Sequence, residues 1–183
     1  MDDLLARTWD HLVGRSVGSL RWLLPGLAVL GLVSAASASG TKYDVEVRAD
    51  KRIDFAQIRT YTWMEGWPAF DPSVDWQIEA DVERELTVLG LTKRPGEPCD
   101  AVVTYAAIRR TDVDVKSKIS PETGLRDEYP VATIVVLLLD PRSRREMFRG
   151  RAIMALARDP ETIRTQIRSA IAQIFAEYPV RKP

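Results

Sequence analysis

From residue 43 onward the chain switches between two hydrophobic rhythms, and the switches predict its elements. Residues 45–48 alternate apolar and polar side chains, the period of a half-buried strand, and Tyr43 extends it. Residues 53–58 predict a short helical turn that plants Phe55 and Ile58 in the core. Residues 60–63, Thr-Tyr-Thr-Trp, are β-branched and aromatic and predict a second strand. Gly66, Pro68 and Pro72 predict a loop. From Asp75 the period lengthens: Ile78, Val82, Leu86 and Leu89 recur every three or four residues with Glu79, Glu83, Arg84 and Glu85 between them, an amphipathic helix closed by Gly90.

The second half repeats the logic. Residues 101–108 predict a third strand that runs on into the alternation of residues 111–116. Residues 117–129 predict a mobile loop around Pro121 and Gly124. Residues 131–139 are apolar on both alternating faces, the mark of a central strand covered on both sides. Asp140-Pro141 suits a turn, and residues 146–153 return as the partner strand. Asp159 then caps a helix with Pro160 at its first position, Ile163, Ile167, Ile171, Ile174 and Tyr178 form its buried stripe, and Pro179 stops it. The order ββαβββα predicts an α+β domain: an antiparallel sheet with two helices packed on one face. Two helices cover one face only, so the other needs a cover: the N-terminal strand region, a second copy or a partner.

Upstream, residues 23–33 form an apolar run, preceded by Arg21 and followed by small residues that suit cleavage near Ala38 or Ser39. Residues 1–39 therefore predict a signal peptide, or else an uncleaved N-terminal membrane anchor. Residues 40–183 predict a single exported domain in the periplasm, or one held at the membrane by that anchor. The chain has 26 basic and 26 acidic residues, and removing residues 1–39 leaves 23 of each. A neutral domain lacks the field of a nucleic-acid binder. The only histidine, His11, lies in the predicted leader, and Cys99 is the sole cysteine. The domain thus has no Ser/His/Asp triad, Cys/His dyad, histidine-ligated zinc site or internal disulfide, and neither a cofactor nor a metal is expected.

The residues carry a resemblance. The Asp54-Phe55 turn, Thr-Tyr-Thr-Trp63, a helix ending in Leu89-Gly90, Cys99-Asp100 leading into a strand with Tyr105, Asp140 at a hairpin turn, Phe148-Arg149-Gly150-Arg151-Ala152, and a last helix ending in Tyr178-Pro179 occur in one order. Over residues 43–179 the chain resembles the bacterial envelope domain-of-unknown-function 4136 family. The resemblance implies a small α+β cell-envelope domain, often a lipoprotein, with no settled activity and no catalytic residues to carry over. This chain has no cysteine immediately after its apolar run, and it has Phe148 where the family commonly has tryptophan.

Three constellations carry potential chemistry. Arg145, Arg149 and Arg151 are separated by even numbers, so on a regular strand they would share a face and could grip anionic groups of a partner. Trp67 and Phe70 could stack on sugar rings, whereas Trp63 at a strand end predicts a core plug and Trp76 a helix seat. Glu79, Asp81, Glu83 and Glu85 crowd one helix and read as a solvated face. The function expected is a non-enzymatic envelope domain that binds a protein or an envelope component, with a homo-oligomer among the possible assemblies. The alternatives are a carboxylate-dependent hydrolase of envelope glycan, which would need two acids facing across a cleft, and a carrier of a lipid or small apolar ligand.

Overall fold

The computed structural model describes residues 43–179 apart from Phe70 and Glu97. The leader or anchor expected at residues 1–39 lies outside the described residues. The strands are β1 (Asp44–Ala49), β2 (Thr60–Trp63), β3 (Thr92–Lys93), β4 (Ala101–Val113), β5 (Glu128–Leu139) and β6 (Glu146–Ala155), and the helices are α1 (Pro72–Val88) and α2 (Pro160–Ala176). They form one six-stranded sheet in the order β1-β6-β5-β4-β2-β3. The class is α+β, with the expected order of elements plus the short β3.

The sheet is mixed rather than wholly antiparallel. β2 pairs parallel with both β3 and β4, while β4, β5, β6 and β1 pair antiparallel. The physical reason is the α1 crossover: a helix returns the chain to the end where β2 began, so the next strand runs alongside it. α1 also begins earlier than its apolar stripe indicates. Asp71 caps it, its side chain accepting from the Ser73 N–H at 2.9 Å, and Pro72 takes the first position, where a missing N–H costs nothing. α2 starts where expected, with the Asp159 carboxylate accepting from the Thr162 N–H at 2.8 Å.

The core lies between the sheet and the helices. β4 contributes Ala101, Val103 and Tyr105, β5 contributes Ile134, Val136 and Leu138, and β6 contributes Phe148, Ala152 and Met154. Against them pack Ile78, Val82 and Leu86 of α1 and Ile167, Ile171 and Ile174 of α2. Phe148 is the expected aromatic plug. Its ring stacks on Phe175 at 5.9 Å and lies tilted 5.2 Å from Tyr178. α2 comes close because β6 carries glycine beneath it: a Cβ on Gly150 would lie 2.0 Å from Cγ2 of Ile174.

The helices run parallel, and their seam is polar. Gln77 Nε2 donates to the Arg164 carbonyl at 2.7 Å, and one α1 turn further on Asp81 receives Arg84 and, at 3.3 Å, Arg168. Asp81 and Glu85 are therefore buried, which corrects the expectation that α1's acids form a solvated face. Their burial is tolerable because cations accompany them, one from a helix 87 residues away in sequence.

Candidate functional site

The arginine row is broken by a single residue. The β5–β6 ladder shifts between Leu138, opposite Phe148, and Leu139, opposite Glu146, so Met147 is an extra residue in β6. Met147 and Phe148 consequently both turn inward and are buried. Alternation restarts on the far side of this bulge. Glu146, not Arg145, shares the helix-free face with Arg149 and Arg151, and the Arg149 Nε donates to Glu146 at 2.8 Å. Arg151 lies opposite Glu46 of β1 and pairs with it at 2.8 Å, while Arg48 pairs with the other oxygen of the same carboxylate at 2.6 Å. These cations, Arg48 first, hold the Glu46 carboxyl below its usual range. Arg145 sits in the turn, exposed, where its charge reaches Asp50. The structure thus brings Arg149 and Arg151 together, already neutralised by Glu146 and Glu46, and leaves Arg145 apart.

Trp67 is 72 % exposed, as a stacking residue would need to be. Phe70 lies outside the described residues. The backbone of Trp67 extends the sheet: its N–H donates to the Tyr105 carbonyl at 2.9 Å and its carbonyl accepts from the Ala107 N–H at 3.0 Å. Gly66 makes that approach possible, since a Cβ there would meet the Tyr105 carbonyl oxygen at 2.1 Å. Trp76, expected to seat α1, is exposed as well.

Beyond Trp67, β4 and β5 leave the sheet together. β6 accompanies β5 only as far as Val131, opposite Ala155, whereas the β4–β5 ladder continues through Thr111–Pro130 to Val113–Glu128. The result is a two-stranded arm with a long loop at its tip. Val113, Val115, Ile119, Leu125 and Tyr129 are exposed large apolar side chains on this arm and its loop, and Ile108 is exposed in the sheet at its base. The strand takes in Glu128 and Tyr129, which the sequence placed in the loop.

A cleft that no motif announced lies where β2 meets α1. Its volume is about 460 Å³, and Trp63, Tyr105, Asp75, Glu79, Lys93 and Arg94 line it. Trp63 is half-buried rather than a sealed plug: its ring meets Tyr105 edge-on at 6.1 Å, and its indole Nε1 donates to Glu83 at 2.7 Å. Lys93 donates to the same Glu83 oxygen. Burial disfavours the Glu83 carboxylate, but the Lys93 and Trp63 donors outweigh it and hold its pKa below the usual value. Tyr105 Oη donates to Asp75 Oδ1 at 2.7 Å, and the Ala69 N–H donates to the same oxygen at 2.6 Å. Burial first and the Asp75 carboxylate second push the Tyr105 phenol well up. Asp75 and Glu79, four residues apart on α1, occupy one wall of the cleft rather than facing each other across it. No group of three or more His, Cys, Asp or Glu side chains that could hold a metal occurs among the described residues, and no helix among them is long and apolar enough to cross a membrane.

A family model described as domain of unknown function (DUF4136) matches residues 45–180. No match was found among curated proteins. Among solved structures, the chain is similar to a single-substitution variant of the PelC dodecamer from Paraburkholderia phytofirmans, at 12% identity and a TM-score of 0.51, covering 74% of this chain and 95% of that one. It is also similar to a PDZ domain protein from Parabacteroides distasonis, at 15% identity and a TM-score of 0.50, covering 77% of this chain and 36% of that one. At these identities the likeness concerns the fold.

Proposed function

Since the chain belongs to the DUF4136 family of domains of unknown function, its role has to be read from its own surfaces, and we propose that it is a non-enzymatic assembly module of the cell envelope that engages a protein partner through the β4–β5 arm. The observation that carries this reading is the arm itself. Five large apolar side chains project on a ribbon and loop that the core does not need, and exposed apolar clusters of this kind mark protein contacts. The polar groups of the β2–α1 cleft, by contrast, are largely spent on one another: Tyr105 on Asp75, and Trp63 and Lys93 on Glu83. A periplasmic location agrees with the apolar run and small residues that precede the domain, and with the envelope character that the family resemblance implies. That a structural neighbour is a dodecamer is compatible with assembly as the task.

The test compares the full chain with its Val115→Ser/Ile119→Ser/Leu125→Ser variant, each cross-linked in the intact cell envelope. The wild type is expected to give discrete cross-linked species that the variant loses while its melting temperature is kept. Identical cross-linking patterns for the two would remove the arm as the contact surface.

A further inference from the structure

The arm has two edges, and they are not alike. β4's register with β5 is unbroken from Val102 to Val113, so the direction of each backbone group follows from its neighbours. Val103, Tyr105 and Ala107 turn theirs toward β2 and Trp67, as the bonds from Met64 to Val103, from Trp67 to Tyr105 and from Ala107 to Trp67 show. On the other side, the Asp114 N–H donates to the Asp127 carbonyl of the partner strand. Alternation therefore directs the N–H and C=O groups of Arg109, Thr111 and Val113 outward, beyond the point where Trp67 ends the pairing. No described residue pairs with this stretch from that side. The opposite edge is blunted: across from Thr111 stands Pro130, which has no N–H to offer and whose carbonyl already accepts from Leu156.

An open edge of this length needs a cover, and the sequence along it is self-complementary. We propose that β4 pairs with β4 of a second copy of this chain, antiparallel and centred on Thr111; this rests on the reading of the arm as the assembly element. The centring follows from the bonding groups. With Thr111 opposite itself, Arg109 falls opposite Val113 of the copy and Val113 opposite its Arg109, so all three outward-facing residues form hydrogen-bonded pairs. The same register sets Arg110 opposite Asp112 of the copy, and Asp112 opposite its Arg110, on the helix-free face. These residues already pair within one chain at 2.8 Å, and the dimer would place each beside a second opposite charge.

The ends of the register fit as well. Continuing past Val113, the copy's strand would run into Trp67, which already occupies the ladder at Ala106 and Ala107. It leaves first, because a turn closed by the Ser117 N–H on the Asp114 carbonyl takes the chain off the ladder at Asp114. Val115, just inside that turn and 74% exposed, then arrives beside the equally exposed Trp67 of the facing copy. The contact is isologous: it uses one patch twice and closes on itself. Two six-stranded sheets become one continuous sheet.

Cysteine cross-linking reads the register directly. In the full chain with Cys99→Ser, Thr111→Cys should give a covalent dimer on mild oxidation, because its Cα atoms would lie about 5.5 Å apart across the axis. Arg109→Cys alone should not, since its two copies would be about 13 Å apart, but Arg109→Cys combined with Val113→Cys should. Sedimentation of the full chain in a non-ionic detergent gives an independent reading. The wild type should sediment as a dimer, and Thr111→Pro, which removes an outward N–H without touching the β4–β5 ladder, as a monomer with an unchanged circular dichroism spectrum. A wild type that stays monomeric, or cross-linking equally efficient at 109 and 111, overturns the proposal. If the envelope cross-links of the wild type then persist and still depend on Val115, Ile119 and Leu125, the arm binds a different protein, and only the self-pairing fails.

Discussion

The two halves of β4 are one strand under two sets of rules. Residues 101–105 are all buried, pressed between α1 on one face and the chain around Glu65 and Gly66 at the edge. Residues 110–113, continuous with them in the same ladder but past the end of the pairing between β5 and β6, are mostly exposed. The first half is held by packing, so its side chains are specified by volume. The second is held by backbone pairing to β5 alone, and its side chains are released for other uses. A long isolated ribbon is marginal in water; this one persists because its base is anchored in a six-stranded sheet.

Substitutions can break that contrast or sharpen it. The largest effect belongs to the packed half of the sheet. Gly150→Ala drives a methyl group into Ile174 and should cost about 3 kcal/mol, read as a lower denaturation midpoint. In a double-mutant cycle with Ile174→Ala, which removes the atom it strikes, the combined loss should fall short of the sum of the two. Additive losses would mean that β6 and α2 do not meet at Gly150.

An intermediate effect comes from Asp100, which ties β2 to the start of β4. Its carboxylate accepts from the Thr60 hydroxyl at 2.8 Å, the Thr60 N–H at 2.8 Å and the Arg59 N–H at 3.0 Å. These donors, the Thr60 hydroxyl first, lower its pKa in the folded state. A depressed carboxyl pKa adds stability above the unfolded value of about 4 and loses it as the pH falls through the folded one. Asp100→Asn should therefore lower stability at pH 7, by about 1 kcal/mol at most because the carboxylate is exposed and screened by solvent. The gap between the two melting temperatures should close as the pH drops below about 4, whereas a gap that is constant with pH would assign the effect to shape rather than charge.

The smallest effect belongs to the arm. Ile119→Ser and Leu125→Ser, both at exposed positions, should leave thermal stability within about 0.5 kcal/mol of the wild type. A loss of about 2 kcal/mol or more would show that the arm's apolar residues are covered within the chain and that the contrast between the halves of β4 is false.

The sequence reveals the helices and the apolar cores of the strands because those depend on local period: Ile78, Val82 and Leu86 on α1, and Ile167, Ile171 and Ile174 on α2, lie where their spacing puts them. It misleads wherever a feature depends on what lies opposite. The Met147 bulge is invisible to alternation counted along one strand, and such counting groups Arg145 with residues whose face it does not share. The burial of Asp81 depends on Arg168 of another helix, and the cleft between β2 and α1 depends on a parallel pairing that neither strand announces. Trp67 is legible as an exposed aromatic, but its part in the ladder follows from Gly66, whose missing side chain admits the loop to the edge of β4.

The bulge at Met147 also bears on how this domain can change over generations. With one surplus residue absorbed there, the turn before it and the strand after it are read in opposite phase. Deleting that one codon would make Glu146 and Phe148 neighbours on a regular strand, leaving the carboxylate on the open face and the ring on the packed one and removing only the buried side chain of Met147. Lineages carrying this domain should therefore tolerate many exchanges of side chain at Glu146 and Arg149, and should lose the bulge, where they lose it, by deletion of Met147 alone.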